Sequence, residues 1–383
     1  MVKLFASPSN YVQGPDVLMH SADRIGKFGK KVLLLSSPSV LKIIGNDFAE
    51  YLKKNDFDVE VVNFTGESSE SEIDRVTKIG QTNVDNVVIG LGGGKVSDSA
   101  KAIADNLNTT VVIAPTIAST DAPCSRLSVI YTDKGQFDHY RFYKKNPDMV
   151  ILDTKVISHA PVKFLIAGMA DAMATNVEAT DTRKSDGTNM LGGKSTLAGE
   201  AIGQKCEQTL FKYGSLAVAA NVVGSATPEL DKIVEANTLL SGIGFESGGL
   251  AAAHAIYNGF TALSGEIDQL SHGQKVAFGT LCELVLTGSD HRRFEKYLSF
   301  DLEFGLPTTL EDLKLGTASD EELMKAATQA CDPSDTMVNL PVSVTPTDVM
   351  NVMKAVSEFS HEYQIKNGLG DWNADTWWCH QIH

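Results

Sequence analysis

The first 155 residues alternate short apolar segments with helical patterns, and this alternation constrains the possible folds more than any other feature of the sequence. The apolar segments predicted to be buried strands are Lys31–Ser36, Val59–Phe64, Asn86–Leu91, Thr110–Ala114 and Asp148–Asp153. Strands that are apolar almost throughout, separated by helices, are typical of a parallel sheet covered on both faces. Residues 127–131 and 138–143 flank Asp133–Gly135 and predict a hairpin inserted before the last strand.

After Pro161 the pattern changes, because strand-like segments nearly disappear and Ala-, Leu- and Glu-rich helical stretches continue to about residue 365. We therefore predict an α/β N-terminal domain with a Rossmann-like parallel sheet at residues 1–158. An all-α C-terminal domain is predicted at residues 159–367. The remaining residues, 368–383, form a tail with no predicted place in either domain.

This tail carries three potential metal ligands, Cys379, His380 and His383. The more ordinary interpretation is a terminal segment that is packed by its tryptophans or partly disordered. The sequence leaves both open.

Composition excludes several classes of function. The chain has 383 residues, 43% of them hydrophobic and 21% charged, which is typical of a globular protein with a sizeable core. Its formal net charge of −15 argues against a nucleic-acid partner, since phosphate backbones are bound by basic surfaces. No apolar run approaches the roughly 18–20 residues of a membrane span. Five scattered cysteines fit reduced thiols, so we expect a cytoplasmic protein.

A glycine-rich loop lies where the third predicted strand gives way to a helix, at Gly90–Lys101. The consecutive glycines Gly92, Gly93 and Gly94 let a ligand approach the backbone closely, because no Cβ intervenes. The N-terminus of the following helix offers unpaired N–H groups to a pyrophosphate. The loop fits neither G-x-G-x-x-G nor a P-loop, so a tight turn that merely packs well stays an alternative.

A second polar loop, Ala114–Ser125, follows the next predicted strand. Open α/β sheets bind ligands at the carboxyl ends of their strands, where both loops should emerge. Its hydroxyls and its carboxylate would suit a ribose, a phosphate or a nicotinamide amide. An ordinary capped loop is the alternative interpretation.

Three polar residues stand in otherwise apolar helical segments: Asp171, His254 and His272. Burying a carboxylate there is unfavourable unless it has a partner. One carboxylate and two imidazoles suit Zn²⁺ or Fe²⁺, and three protein ligands leave one coordination position for substrate. A lone histidine on an apolar helix is more often a hydrogen-bonded core residue, so spacing alone gives a candidate site and leaves convergence open.

Several motifs together closely resemble the glycerol dehydrogenases, members of the iron-containing alcohol dehydrogenase superfamily whose fold is shared with dehydroquinate synthase. The segments that carry this resemblance are Gly92-Gly-Gly-Lys-x-x-Asp98, Ile113–Ser125, Glu235-Ala-Asn-Thr238, Gly244–His254 and Gly273-x-Lys-Val-Ala-Phe-Gly-Thr280. The resemblance extends from about residue 6 to about residue 365 and leaves out the tail.

The resemblance implies roles for individual residues. Asp171, His254 and His272 match the ligands of one zinc ion per subunit, and His254 also adjoins the substrate. Asp121 matches the residue that contacts the polyol. The residues expected at the dinucleotide are Ser37, Gly92, Gly93, Gly94, Lys95, Asp98, Thr116, Ser119, Ser125, Leu127 and Tyr131. The family further implies a cytosolic homo-oligomer, often an octamer.

Three positions refine these expectations. Many iron-dependent relatives have a histidine four residues after the aspartate and another four residues after the first histidine ligand. This chain has Thr175 and Asn258 there, which favours the three-ligand zinc site. Glycerol dehydrogenases usually have an aspartate where this chain has Ser37, and an acid there favours NAD over NADP. We expect NAD, with NADP or dual use as an alternative.

The predicted function is zinc-dependent, reversible oxidation of glycerol or a similar vicinal diol to the hydroxyketone, with hydride transfer to NAD. Asp121 is the predicted catalytic side chain, because it would orient the hydroxyl beside the reacting one. One alternative is a phosphorylated substrate, as in glycerol-1-phosphate dehydrogenase or dehydroquinate synthase. A phosphorylated substrate calls for basic residues around the metal. Apart from Lys275, the segments that flank the three metal ligands contain almost no Lys or Arg. The other alternative is a catalytically silent dinucleotide-binding protein. All three metal ligands are intact, which argues against it.

Overall fold

The computed structural model describes residues 2–369, and most of its strands belong to one parallel sheet. The strands are β1 (Tyr11–Gly14), β2 (Lys31–Ser36), β3 (Asp58–Asn63), β4 (Val87–Gly92), β5 (Thr110–Pro115), β6 (Leu127–Tyr131), β7 (Phe137–Phe142) and β8 (Met149–Asp153). Six of them pair in the order β1-β8-β5-β4-β2-β3, parallel throughout. Strands β6 and β7 form a separate antiparallel hairpin.

The five predicted sheet strands and the predicted hairpin are confirmed, each to within one residue or so of its predicted bounds. The sequence did not reveal β1. Its four residues, Tyr11–Gly14, are all only partly buried, and the strand pairs with β8 alone at the edge of the sheet. A segment this short carries too little hydrophobic periodicity to be distinguished from a loop.

Helices occupy most of the rest of the chain. They are α1 (Ala22–Ile25), α2 (Pro38–Val40), α3 (Asn46–Lys54), α4 (Glu70–Asn83), α5 (Gly94–Leu107), α6 (Thr154–Ser158), α7 (Val162–Lys184), α8 (Leu197–Val222), α9 (Pro228–Glu235), α10 (Ser241–Gly248), α11 (Ala252–Phe260), α12 (His272–Leu286), α13 (His291–Glu303), α14 (Asp320–Ala330) and α15 (Pro346–Lys366). The predicted class, an α/β part with a Rossmann-like parallel sheet followed by a helical part, is confirmed. None of the described helices is long and apolar enough to cross a membrane. Residues 370–383, with the potential ligands of the tail, lie outside the described part.

The described chain packs as two units whose bounds differ from the predicted boundary at residue 158. The sheet unit consists of residues 6–168 and 212–243. Of the described residues, the helical unit contains 2–5, 169–211 and 244–369. Helices α7, α8 and α10 each contribute residues to both units, so the packing division does not follow the change in composition.

The sheet unit is built around a core that covers both faces of the sheet. On one face, Leu34 and Ile89 pack with Phe48 and Leu52 of α3, and all four side chains are fully buried. On the other face the packing is so close that a Cβ on Gly90 would lie 2.7 Å from the Ala100 Cβ of α5. Burial on both sides explains why these strands are apolar throughout.

The carboxyl ends of three neighbouring strands meet at one edge of the sheet. Ser36 of β2 is in register with Leu91 of β4, and Gly92 of β4 is in register with Pro115 of β5. The segments that follow these strands therefore leave the sheet side by side. In parallel sheets this edge is where ligands bind.

Candidate functional site

The helical unit brings together the three residues predicted to bind metal. Asp171 lies in α7, His254 lies in the first turn of α11 and His272 is the first residue of α12. The Asp171 Oδ1 atom is 3.0 Å from His272 Nε2 and 3.5 Å from His254 Nε2. One potential ligand atom from each residue lies within 4.8 Å of the others. The convergence that spacing left open is thus present in the structure.

Glu178 supports this group and was missed by the sequence analysis. It is fully buried in α7, two helical turns after Asp171, and its Oε2 accepts a 2.6 Å hydrogen bond from His254 Nδ1. Its Oε1 accepts the backbone N–H groups of Ala251 and His254 at 2.9 and 3.0 Å. A carboxylate on Nδ1 fixes the ring and directs Nε2 towards Asp171, as second carboxylates do behind metal-bound histidines.

The charges within this group stabilise one another. Burial alone would raise the pKa of Asp171, but the charges of His272 and His254, with hydrogen bonds from both rings, hold that pKa well below its usual range. Burial would likewise lower the pKa of His254, and the negative charges of Glu178 and Asp171 raise it well above its usual value instead. Two buried carboxylates around two imidazoles make an environment that attracts a cation.

His272 is the most accessible of the three residues, with 30% of its side chain exposed against 1% for Asp171. Ser271 caps α12, and Gln274 completes a capping box that fixes the start of the helix and hence His272. The Tyr257 ring packs edge-on against the His272 ring, with centroids 4.2 Å apart. The Lys275 ammonium lies 5.4 Å from the centroid of Tyr257.

Positions 175 and 258 are threonine and asparagine, so neither adds a histidine ligand to this group. Thr175 is buried one turn beyond Asp171. The Asn258 amide donates a 2.9 Å hydrogen bond to the Asp335 carboxylate. The donor set of one carboxylate and two imidazoles therefore fits a four-coordinate metal that keeps one position open, and the exposure of His272 provides access.

In the sheet unit, the glycine loop joins β4 to α5, as predicted. Gly93 caps the helix, which begins at Gly94. A Cβ on Gly92 or Gly93 would lie 3.0 Å from Val96 or Ile117 respectively, tighter than most real contacts. A Cβ on Gly94 would meet only Thr120 Oγ1, at an ordinary 3.4 Å. The fold itself therefore does not require a glycine at position 94.

Lys95, at the start of α5, is half exposed and forms an ion pair with Glu67, a residue of the β3–α4 loop. Its ammonium also lies 5.7 Å from the ring centroid of Tyr131, the last residue of β6. The structure thus places the predicted cofactor residues Lys95 and Tyr131 together. Glu67, which no motif indicated, is the third member of this contact.

The second polar loop lies against the glycine loop, because Ile117 and Thr120 are the neighbours met at Gly93 and Gly94. Thr116, which is buried, donates its backbone N–H to the Gly92 carbonyl at 3.2 Å. Ser119 is partly exposed in the same loop.

Asp121 is 9% exposed, and its Oδ2 accepts a 2.9 Å hydrogen bond from Ser241. The predicted polyol-contacting carboxylate therefore lies in the sheet unit, in the same loop as Thr116 and Ser119.

Asp98 occupies a different environment from the other predicted cofactor residues. Its carboxylate is buried, lies 3.4 Å from the Lys101 ammonium and accepts the Val129 backbone N–H at 3.2 Å. Lys101, also buried, donates to the carbonyls of Ala122 and Leu127 at 2.5 and 2.8 Å. Both side chains thus fasten the second loop and the hairpin to α5, and a cofactor contact of Asp98 stays a prediction.

Ser125 and Leu127 are both partners of Lys101. Ser125 is fully buried, with its hydroxyl 3.5 Å from the Lys101 ammonium, and Leu127 begins β6. Ser37 follows β2, where its hydroxyl accepts the Val40 N–H and caps α2. Ser37 is partly exposed at the same sheet edge as the two loops.

Known proteins match this chain over nearly its whole length. The family model described as iron-containing alcohol dehydrogenase matches residues 8–154. The glycerol dehydrogenase of Thermotoga maritima is 45% identical over 94% of this chain and 98% of its own length. The glycolaldehyde reductase of Halobacterium salinarum is 42% identical over 94% of this chain and 98% of its own. The crystal structure of the Schizosaccharomyces pombe glycerol dehydrogenase superposes with a TM-score of 0.93 at 40% identity, covering 97% of this chain and 94% of that one.

Proposed function

This chain belongs to the glycerol dehydrogenases of the iron-containing alcohol dehydrogenase family, and we propose that it catalyses the reversible, NAD-dependent oxidation of glycerol or a similar vicinal diol to the hydroxyketone. The observation that carries this proposal is the convergence of Asp171, His254 and His272 from three helices, with an accessible side at His272. A buried carboxylate between two imidazoles usually stabilises a fold no better than apolar residues of the same volume would, so its presence here supports a functional role.

The proposed metal is one Zn²⁺ per subunit, held by Asp171, His254 and His272. A zinc ion with three such ligands supplies Lewis acidity that lowers the pKa of a bound hydroxyl. Glu178 holds His254 with Nε2 available, and Thr175 and Asn258 add no imidazole. These features support zinc over a four-ligand iron site.

The proposed dinucleotide site is the edge formed by the two loops of the sheet unit. Gly92, Gly93 and Gly94 with the N-terminus of α5 would hold the pyrophosphate, beside Lys95. Position 94 supports this most directly, because the fold leaves room for a side chain there and the sequence has none. The polar contacts proposed for the rest of the cofactor come from Ser37, Asp98, Thr116, Ser119, Ser125, Leu127 and Tyr131.

NAD bound at this edge would accept a hydride from the carbinol carbon of the diol at C4 of its nicotinamide ring, and the proton of the same hydroxyl would pass to solvent. Glycerol thus yields dihydroxyacetone, NADH and a proton. Asp121 would accept a hydrogen bond from the neighbouring hydroxyl and so orient the diol. Vicinal diols should therefore react better than simple alcohols.

The test is a substrate and cofactor panel on protein of measured zinc content. Glycerol, propane-1,2-diol, butane-2,3-diol, glycolaldehyde and glycerol 1-phosphate are each assayed with NAD(H) and NADP(H). We expect activity on diols with NAD, lost on chelation and restored by Zn²⁺. Full activity of verified metal-free protein would refute the metal proposal. Activity confined to glycerol 1-phosphate would refute the substrate, and a strong preference for NADP would refute the cofactor.

The proposal extends to a cytosolic homo-oligomer, with up to eight subunits. Leu216 of α8 and Val223, the residue directly after this helix, are 63% and 75% exposed, and a subunit contact would bury both side chains. Light scattering on the purified enzyme tests the assembly, and a monomer at micromolar concentration would contradict it. Cell fractionation tests the location.

A further inference from the structure

One motif of the resemblance, Glu235–Thr238, has no role in the proposed chemistry. In the structure it leads into a single π-helical turn, Ala236–Leu240, between α9 and α10. Such turns are rare and are found frequently at functional sites, because the extra residue re-aims side chains that a regular helix would point elsewhere. The side chains that this turn re-aims reach the second polar loop of the sheet unit.

Asn237 fixes the backbone of that loop. It is fully buried, and its amide donates hydrogen bonds to the Ala118 carbonyl at 2.9 Å and to the Leu165 carbonyl at 3.1 Å. Gly168 permits this approach, since a Cβ there would overlap the Ala118 carbonyl oxygen. Within residues 2–369 the Asn237 Oδ1 atom has no hydrogen-bond partner, which is unfavourable in a buried amide. The amide is therefore retained for its two donated hydrogen bonds.

Ser241 fixes the carboxylate of the same loop. It is fully buried at the start of α10, and its hydroxyl donates to Asp121 Oδ2 at 2.9 Å. At the next residue, Gly242, a Cβ would lie 2.8 Å from the Asp121 carbonyl oxygen. The chain after the π-helical turn thus holds both the side chain and the backbone of Asp121.

We propose that Asn237 and Ser241 are positioning residues that hold Asp121 in one orientation and thereby set the preference for vicinal diols. The inference rests on the proposed function, in which Asp121 contacts the hydroxyl beside the reacting one. A carboxylate whose rotamer is already fixed binds that hydroxyl without losing side-chain freedom. A Ser241 that only stabilised the fold would affect all substrates alike.

The experiment compares Ser241→Ala with Ser241→Thr, which keeps the hydroxyl, on propane-1,2-diol and propan-2-ol. Both substrates are oxidised at a secondary carbon and differ by one hydroxyl group. We expect Ser241→Ala to lower kcat/KM for the diol about tenfold, mainly through KM, and to leave propan-2-ol nearly unchanged. Ser241→Thr should recover most of the loss. Ser360→Ala is the matched control, because Ser360 is a buried serine that donates to Thr308 in the helical unit.

Equal losses on the two substrates, or no loss, would overturn the role of Ser241. Amide hydrogen exchange of residues 116–121 provides a readout that needs no activity. Ser241→Ala and Asn237→Ala should exchange faster there than Ser360→Ala, and unchanged exchange would overturn the positioning role. If the wild-type protein oxidises no diol while exchange still rises in the variants, the proposed function fails and the fixing of the loop stands.

Discussion

Two regions with proposed roles are assembled in opposite ways. The first, the metal group, consists of Asp171, His254 and His272, and the second, the dinucleotide edge, consists of the loops after β4 and β5 that are proposed to bind NAD. The metal group draws side chains from three helices, and each ligand depends on contacts that are remote in sequence. The dinucleotide edge consists of two continuous segments that follow adjacent strands, and the first of them contains three consecutive glycines, Gly92, Gly93 and Gly94. The metal group depends on the donor atoms of its side chains, whereas the dinucleotide edge depends on the absence of side chains at its glycines.

The two regions are therefore sensitive to different kinds of substitution. A metal group is damaged when a donor atom is replaced, even if the volume stays the same. A backbone cradle is damaged when an atom is added, even if the fold accepts it. Substitutions of these two kinds should therefore separate the two regions experimentally.

The largest effects are expected at the proposed metal site, where Glu178→Gln tests the supporting carboxylate. The amide keeps one oxygen but places N–H donors opposite His254 Nδ1, which favours the tautomer whose Nε2 carries the proton and cannot bind metal. Zinc affinity, measured by competition with a chelator, should fall roughly 10- to 100-fold. Asp171→Asn should abolish binding altogether.

The matched control for this change is Glu283→Gln. Glu283 is buried and accepts the Ala253 N–H at 2.7 Å, at the same helix terminus as Glu178. Burial, with the charges of Glu178 and Asp181, raises its pKa well above the usual range, which favours the protonated form that glutamine resembles in shape and charge. Zinc affinity should stay within about twofold of the wild type in this variant. If zinc affinity fell equally in both variants, any substitution at this helix terminus would weaken binding, and the contact between Glu178 and His254 would not be the cause.

The next effect is expected for Gly94→Ala. The added methyl group meets the protein only at an ordinary 3.4 Å, so Tm should hold or rise slightly. The dissociation constant for NADH, measured by fluorescence, should increase about tenfold, or about 1.4 kcal/mol, if the pyrophosphate rests there. Gly90→Ala is the contrasting variant, because its Cβ would lie 2.7 Å from Ala100 and should lower Tm. Unchanged NADH affinity in Gly94→Ala would remove position 94 from the cofactor site.

A smaller effect is expected for Ser37→Asp. Aspartate also caps helices, so the cap on Val40 should survive, and its charge should repel a 2′-phosphate. The ratio of kcat/KM for NAD to that for NADP should rise several-fold, by about 1 kcal/mol. Ser37→Asn, a cap without charge, should leave the ratio near that of the wild type. If both variants shift it alike, charge is not the determinant.

The smallest effect concerns Asp85, before the amino end of β4, remote from the glycine loop at the other end of this strand. Burial, with the charges of Glu60 and Asp58, raises the pKa of Asp85 to about 6, against 3.8 for the free side chain. The ionised form is therefore disfavoured in the folded state, and this destabilisation grows between about pH 4 and pH 6 and is complete above that. Asp85→Asn should raise Tm by about 1 °C at pH 8 and by progressively less as the pH falls towards 4. A difference that increases on acidification would contradict this assignment.

The sequence predicted the sheet and its ligand-binding edge well because both are recorded locally. Buried strands are apolar throughout, and a strand that ends in glycines before a helix is visible in a dozen residues. The strand β1 was missed because Tyr11–Gly14 has no such local signal. Asp171, His254 and His272 were candidates from their apolar surroundings, but spacing could not show that they converge, and the zinc assignment came from the resemblance.

The supporting residues could not be predicted, because their contacts join distant parts of the chain. Ser241 reaches Asp121, and Asn237 reaches Ala118, across about 120 positions. Lys101 and Asp98 stood in the glycine motif, but nothing local showed that they fasten a hairpin. Glu178 had a usable signal, since its seven-residue spacing from Asp171 places both carboxylates on one face of an apolar helix.

That spacing has an evolutionary consequence. Each residue turns an α-helix by about 100°, so one inserted or deleted residue between Asp171 and Glu178 would carry the second carboxylate a quarter-turn or more away from His254. Substitutions between the two can accumulate, but changes of length cannot. We expect homologous chains to differ in the length of their loops but to keep the same number of residues between the positions of Asp171 and Glu178 in α7.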